Sequence, residues 1–289
     1  MRDASIDDTV QTMPTMLIFG IGYAAKVLAE SLRGQGWSFR GTGRDGDLDF
    51  ADRDSVGGAL AQANHVLSSV PPDAAGHDPV LAAYGSSLSG KWLGYLSSTG
   101  VYGDSGGAWV DETAPIGGGR RSARTASDLA WQALGARVFR LPGIYGPGRS
   151  PLDRVVAGTA HRIDLAGQVF SRVHVEDIAS GVVAALRAPP GVYNLADDLP
   201  VSNNAVIEET CRLLGREPPP LQALDAARLS PQARAFYSEN RRIANGKAKR
   251  VLGWRPAYPT FREGLRALSA MTSPVSATAD PTTASAVQR

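Results

Sequence analysis

Short apolar runs alternate with helix-period patterns along most of the chain. MLIFG (16–20) is too short for a helix and ends at glycine, so it predicts a buried strand. KVLAESLRGQG (26–36) spaces its apolar residues at helical steps and stops at a glycine. WSFRGTGR (37–44) predicts a second strand, DLDF (47–50) a third, and DSVGGALAQA (54–63) a helix. HVLSSV (65–70) reads as a strand running into Pro71-Pro72. DPVLAAYGSSL (78–88) reads as a helix opened by Asp78, with Pro79 in its first turn. KWLGYLSS (91–98) and ARVFRLPG (136–143) are further strands, separated by a helix that begins around RRSAR (120–124). Such alternation predicts an α/β fold, a Rossmann-type doubly wound parallel sheet.

After residue 144 the pattern changes. Helical pieces LDRVVAG, EDIASGVVAALRA and NAVIEETCRLLG are separated by the short strands RIDLAG and GVYNLA. REPPP (216–220) then breaks the chain before a polar, basic stretch to residue 250. Residues 14–144 are therefore expected to form mainly the domain built on this sheet. Residues 145–272 are expected to form mainly a small C-terminal substrate lobe, with elements returning to the sheet. Residues 1–13 and 273–289 lack apolar period and read as loose tails.

The chain is 43% hydrophobic and 20% charged, with a net charge of +2. That is an ordinary globular composition and demands neither nucleic acid nor membrane. Cys211 is the single cysteine, which excludes an internal disulfide and a cysteine metal cluster. The mixed, acidic start MRDASIDDTVQTMP does not resemble a secretory signal, so a cytoplasmic location is expected. No spacing of His or carboxylates suggests a metal site.

FGIGYAAK contains G-x-G-x-x-A at Gly20, Gly22 and Ala25, between a strand and a helix. The first glycine permits the turn, the second admits a pyrophosphate close to the backbone, and the alanine permits tight packing. The N–H groups around Tyr23, Ala24 and Ala25 then face the phosphates. The second strand ends in GTGR, where Arg44, helped by Thr42, suits the 2′-phosphate of NADP. Asp45 and Asp47 nearby keep NAD open as the alternative.

LSSTGVYGD (96–104) resembles the active-site strand of the extended short-chain dehydrogenase/reductases, the NAD(P)-dependent epimerases and dehydratases. The resemblance continues through VDETAP, RLPGIYGPGR, SRVHVEDIASGVVAAL, GVYNLADDLPVS and RRIANGKAKRVLGWRPAYPTFREGL, over about residues 15–268. It implies that Asp49 and Phe50 border adenine, that Ser69 and Val70 flank ribose, and that Leu141, Pro142 and Gly143 lie beside the nicotinamide. It places the substrate-holding hydroxyl on Ser98, with Thr99 as the near alternative. Tyr102, Tyr145 and Arg149 become substrate-side candidates. Asp177 is expected to anchor a helix beside a structural His174, and Trp254 and Tyr258 to form a packed corner.

The family carries a Tyr-x-x-x-Lys pair on the next helix. Aligned on Asp128, those positions fall on Arg120 and Arg124, and no tyrosine occurs between Tyr102 and Tyr145. Arg124 can take over the lysine's contact with ribose. Arg120 cannot act as the proton shuttle, because guanidinium stays protonated. The chain thus resembles the atypical branch. Three readings of the arginines stay open: anion binding, exposed pairing with Asp128 or Glu112, or a drifted catalytic helix. The expected function is an NAD(P)-dependent oxidoreductase or epimerase/dehydratase acting on a small-molecule substrate, anionic or nucleotide-sugar-like. The alternative is a non-catalytic, redox-sensing NADP-binding protein. A homodimer stays open.

Overall fold

A computed structural model describes residues 13–73, 75–118, 122–227 and 229–272. The first half runs β1 (Thr15–Phe19), α1 (Tyr23–Arg33), β2 (Ser38–Gly41), α2 (Arg53–Gln62), β3 (His65–Ser68), α3 (Pro79–Tyr84), β4 (Trp92–Ser98), β5 (Trp109–Val110), α4 (Ser122–Ala133) and β6 (Arg137–Leu141). The second half runs β7 (Gly143–Tyr145), α5 (Pro151–Val156), β8 (Arg162–Ile163), β9 (Arg172–His174), α6 (Val175–Ala184), β10 (Gly191–Asn194), α7 (Asn203–Leu214), β11 (Leu221–Gln222), α8 (Pro231–Ala235), β12 (Arg242–Ile243), α9 (Gly246–Val251) and α10 (Phe261–Thr272).

The main sheet is parallel, in the order β10-β6-β4-β3-β1-β2. Both faces are covered, which is why inner strands such as β1 read as unbroken apolar runs. Along β1, Met16 and Ile18 enter one core with Leu28, Phe139, Ile178 and Trp254. Leu17 and Phe19 enter the other, with Val66, Tyr95 and Trp131. This is the period of two expected of a strand. Strand order reverses between β1 and β3, so a crevice opens beyond their C-terminal ends, where ligands bind in open α/β sheets.

Local chemistry sets the element ends. Asp78 accepts from the N–H groups of Val80 and Leu81, both at 3.0 Å, and Pro79 follows it. Ser202 caps α7 at Ala205 N (3.1 Å), and Gly215 closes it in the left-handed conformation. Asp177 in α6 accepts from Ala257 N (2.6 Å) and Tyr258 N (3.2 Å), while Trp254 Nε1 donates to Ser180 Oγ (3.1 Å). These bonds pin the C-terminal corner to α6.

DLDF does not form a third strand. Leu48 N donates back to Gly41 O (3.0 Å), leaving only an isolated bridge between Thr42 and Leu48. Two glycines and two aspartates between them favour a turn, and Leu48 alone is buried in the core. Among the described residues no helix is long and apolar enough to cross a membrane.

Candidate functional site

The turn after β1 is held from two sides. Gly20 has φ +82°, and a Cβ there would sit 2.9 Å from Val70 Cγ2 and 3.0 Å from Ser69 Oγ. Gly20 N donates to Thr42 Oγ1 (3.2 Å), Ile21 N donates to Thr42 O (2.6 Å), and Ser69 Oγ donates to Gly20 O. Thr42 is 2% exposed, so it braces the turn from beneath. Gly20→Ala is expected to cost about 1–3 kcal/mol for the forced positive φ, read as a lowered unfolding midpoint. An unchanged midpoint contradicts this account.

Gly22 is the N-cap of α1 and supplies no side-chain cap. A Cβ on it would meet nothing nearer than Gly20 O at 4.0 Å. The N-terminal turn of α1 therefore opens onto a cavity, lined here by Gly22, Tyr23, Ala24 and Ala25. That is a cradle shaped for an anionic group at a helix N-terminus.

On the rim beyond β2, Arg44 is exposed. The nearby acids are engaged elsewhere. Asp47 pairs with Arg40 at 2.7 Å and accepts from Gly41 N at 2.8 Å, and Asp45 lies 3.9 Å from Lys26 Nζ. Lys26, on the first turns of α1, is a second cation at this rim that the sequence reading did not single out. Asp49 accepts from Ala51 N (2.9 Å). Phe50 meets Tyr84 edge-on at 5.4 Å and accepts from its hydroxyl at 2.6 Å.

The cavity has a volume of about 1240 Å³ and continues from the glycine turn across the end of β4 into the second half of the chain. Ser69, Ser98, Thr99, Arg124, Leu141, Pro142 and Gly143 line this stretch. Ser98 Oγ accepts from Gly100 N (3.1 Å), which fixes the short turn after β4. The described part of α4 starts at Ser122, so Arg124 stands in its first turn. A cation is disfavoured there unless an anion faces it. Arg120 lies outside the described residues.

Asp128, the alignment anchor, is no surface partner for these arginines. It is fully buried and accepts from Arg140 Nη2 (2.8 Å), Arg140 Nε (3.1 Å), Ser97 Oγ (2.6 Å) and Gln132 Nε2 (2.6 Å). Glu112 is likewise engaged, accepting from Asn194 N at 2.7 Å. The network behind β4 ties Ser97, next to Ser98, to α4, the helix that carries Arg124.

The tyrosines divide. Tyr23 donates to Pro147 O (2.9 Å) and carries Arg149 over its ring at 4.5 Å, and both residues line the cavity. Tyr102 is buried, donates to Asn194 Oδ1 (2.8 Å) and lies under Arg140, away from the cavity lining. Burial pushes its pKa up to about 12 against the pull of Arg140. Tyr145 lines the cavity, but its hydroxyl is buried against Gly264. Burial and the nearby Asp197 raise its pKa far above neutrality, so neither tyrosine is placed to exchange a proton. His174 Nδ1 accepts from Glu176 N (3.3 Å) as the cap of α6, an architectural role.

Sequence reading missed the far wall. Arg154, Phe170, Arg172, Tyr237 and Arg241 line the same cavity. The capping box at Ser150 and Asp153 marks the start of α5, but nothing in a single sequence tells which way Arg154 faces.

No family model matches the chain. It is 43% identical to a functionally unknown conserved protein from Silicibacter pomeroyi, whose structure superposes with a TM-score of 0.80, covering 90% of this chain and 99% of that one. The two belong to one family. The human epimerase family protein SDR39U1, solved with NADPH, is 16% identical with a TM-score of 0.68, covering 89% of this chain and 99% of that one. The chain thus shares the fold of that epimerase family protein. Among curated relatives, a Streptomyces 3-diazoavenalumate denitrifying reductase is 30% identical over 178 residues, 54% of this chain and 58% of that protein. Against the resemblance read in the sequence, the departures are Arg124 in the lysine position and the missing tyrosine.

Proposed function

We propose that the protein is an NADP(H)-dependent oxidoreductase of the atypical short-chain type, acting on a small anionic substrate. One observation carries the reading: the uncapped N-terminus of α1, Ser98, Arg124 and the Leu141–Gly143 segment all line a single cavity. The pyrophosphate would rest on the N–H groups of α1. The adenine would lie toward Asp49 and Phe50, and the ribose beside Ser69 and Val70. Arg44, with Lys26 behind it, would take the 2′-phosphate. The pairing of Asp47 with Arg40 and Gly41 N, together with the exposed Arg44 and Lys26 at this rim, supports NADP over NAD.

The bound dinucleotide supplies hydride chemistry. Arg124 holds the nicotinamide ribose as a permanent cation. Ser98, with Thr99 behind it, orients the substrate oxygen. The proton that would accompany hydride transfer is assigned to water in the open cavity, since the hydroxyls of Tyr102 and Tyr145 are buried. The reductase among the relatives supports an enzyme. The missing tyrosine favours the second reading, a non-catalytic NADP-binding protein. NADPH turnover with a carbonyl library separates the two, and complete inactivity of a cofactor-loaded sample supports the second.

Titration by tryptophan fluorescence tests the cofactor. NADPH is expected to bind at least tenfold tighter than NADH. Arg44→Ala is expected to lose about tenfold or more in NADPH affinity, as for a charge-assisted contact, and to leave NADH unchanged. Equal NADPH affinity in wild type and variant removes Arg44 from the site.

A further inference from the structure

The cavity exceeds the roughly 300–1,000 Å³ of a single small-ligand pocket, at about 1240 Å³. Its far half, in the second half of the chain, has its own chemistry. Five arginines line the whole cavity against two carboxylates, Asp153 and Glu239. Three of the five are already committed. Arg241 pairs with Glu239 (2.9 Å) and donates to Gly103 O (2.6 Å). Arg172 donates to the carbonyls of Phe170, Val201 and Ser202 (2.9–3.4 Å). Arg149 stacks on Tyr23 beside the glycine turn. Arg124 stands in the first turn of α4 with Ser98, at the cofactor end.

Arg154 is different. Among the described residues its guanidinium has no hydrogen bond or ion pair, and it lies on the far wall with Phe170 and Tyr237. Water reaches it through the open mouth, yet the surrounding walls lower its pKa by desolvation, against the influence of Tyr237. A planar fork of donors without an acceptor is matched by a carboxylate, in bidentate geometry. Phe170 and Tyr237 meet edge-to-face, centroids 5.4 Å apart at 88°, and Ile207 adds an apolar wall. Such walls suit a flat, apolar body. On the far wall Arg154 is the single spare donor, Arg124 and Arg149 standing at the cofactor end, and Asp153 also lines the cavity. Both features favour a monoanion over a dianionic phosphate.

We propose that this half of the cavity binds an aromatic carboxylic acid, its carboxylate on Arg154 and its ring against Phe170 and Tyr237, with the reacting group toward Ser98. The assignment rests on the proposed function for the reacting end only. Arg154 would anchor the acid whether or not the dinucleotide is NADP.

Calorimetry on the full chain, with and without NADPH, tests it using benzoate, trans-cinnamate and 4-carboxybenzaldehyde, each against its methyl ester. At least one acid is expected to bind at least tenfold tighter than its ester. Arg154→Ala is expected to remove that preference and leave NADPH affinity and unfolding midpoint unchanged. Arg154→Lys, which keeps charge without the fork, is expected to retain part of it. Acid and ester binding alike, no acid binding, an Arg154→Ala variant that keeps the preference, or tighter binding of phenyl phosphate than of any acid overturns the proposal. NADPH binding without acid binding defeats this inference alone. Acid binding through Arg154 without NADPH binding defeats the cofactor reading alone.

Discussion

Replacing Asp128 with alanine is expected to lower the unfolding free energy by about 3–5 kcal/mol, the cost of stranding the partner of a buried ion pair. The carboxylate is fully buried and Arg140 is 2% exposed. Two of Arg140's nitrogens rely on Asp128, and Nη1 already has no partner. The variant therefore leaves a buried guanidinium facing little more than the Tyr102 ring, 4.8 Å away. It also releases Ser97 Oγ and Gln132 Nε2. The pairing itself need not be worth this much, because two charges removed from water lose much of what they gain from each other. The double variant Asp128→Asn with Arg140→Met is accordingly expected to recover part of the loss. Urea denaturation measures both, and a single-variant cost under about 1 kcal/mol rules out this account of the network.

The second large effect depends on pH. Asp197 is 2% exposed and neither carboxylate oxygen has a hydrogen-bond partner. Burial, with a smaller push from Asp198, raises its pKa to about 7 although Arg172 pulls it down. The unfolded value is about 3.9. Between the two, the folded chain holds a proton that the unfolded chain has lost, so stability from this group is complete below about 4 and disappears as pH rises through about 7. Three units correspond to at most about 4 kcal/mol. Asp197→Asn is therefore expected to match wild type near pH 4 and to exceed it by up to that amount at pH 8. The difference between the two unfolding curves is the measurement to make. Carboxylates held low by hydrogen bonds, such as Asp104 and Asp111, act with the opposite sign in the acid range and cancel in the difference. A difference that does not change with pH refutes the assignment.

Local patterns were legible where neighbours in sequence are also neighbours in space. MLIFGIGYAAK carries its own strand, turn and helix, and Asp78-Pro79 carries its own cap. DLDF misled because two apolar residues separated by an acid mimic a strand, while the glycines around them bend the chain back. The Asp128–Arg140 pair was invisible for a different reason. Its partners lie on a helix and a neighbouring strand, and a helical period tells which residues share a face without telling what that face meets. Asp128 could be used to align the arginines, but its burial could not be read. Arg154 is the same case on α5. A charged residue on a short amphipathic segment looks like any surface charge until other elements complete a cavity wall beside it.

The edge strand β10 pairs with β6 from about fifty positions earlier in the chain, and β12 pairs with β5 across more than a hundred. These closures set a high contact order, which slows folding. A nascent chain that has exposed β6 but not yet β10 carries an unprotected strand edge of Val138 and Phe139. A fragment cut near residue 145 would retain that edge permanently. It is expected to aggregate when expressed alone, whereas a chain reaching past Asn194 can seal it.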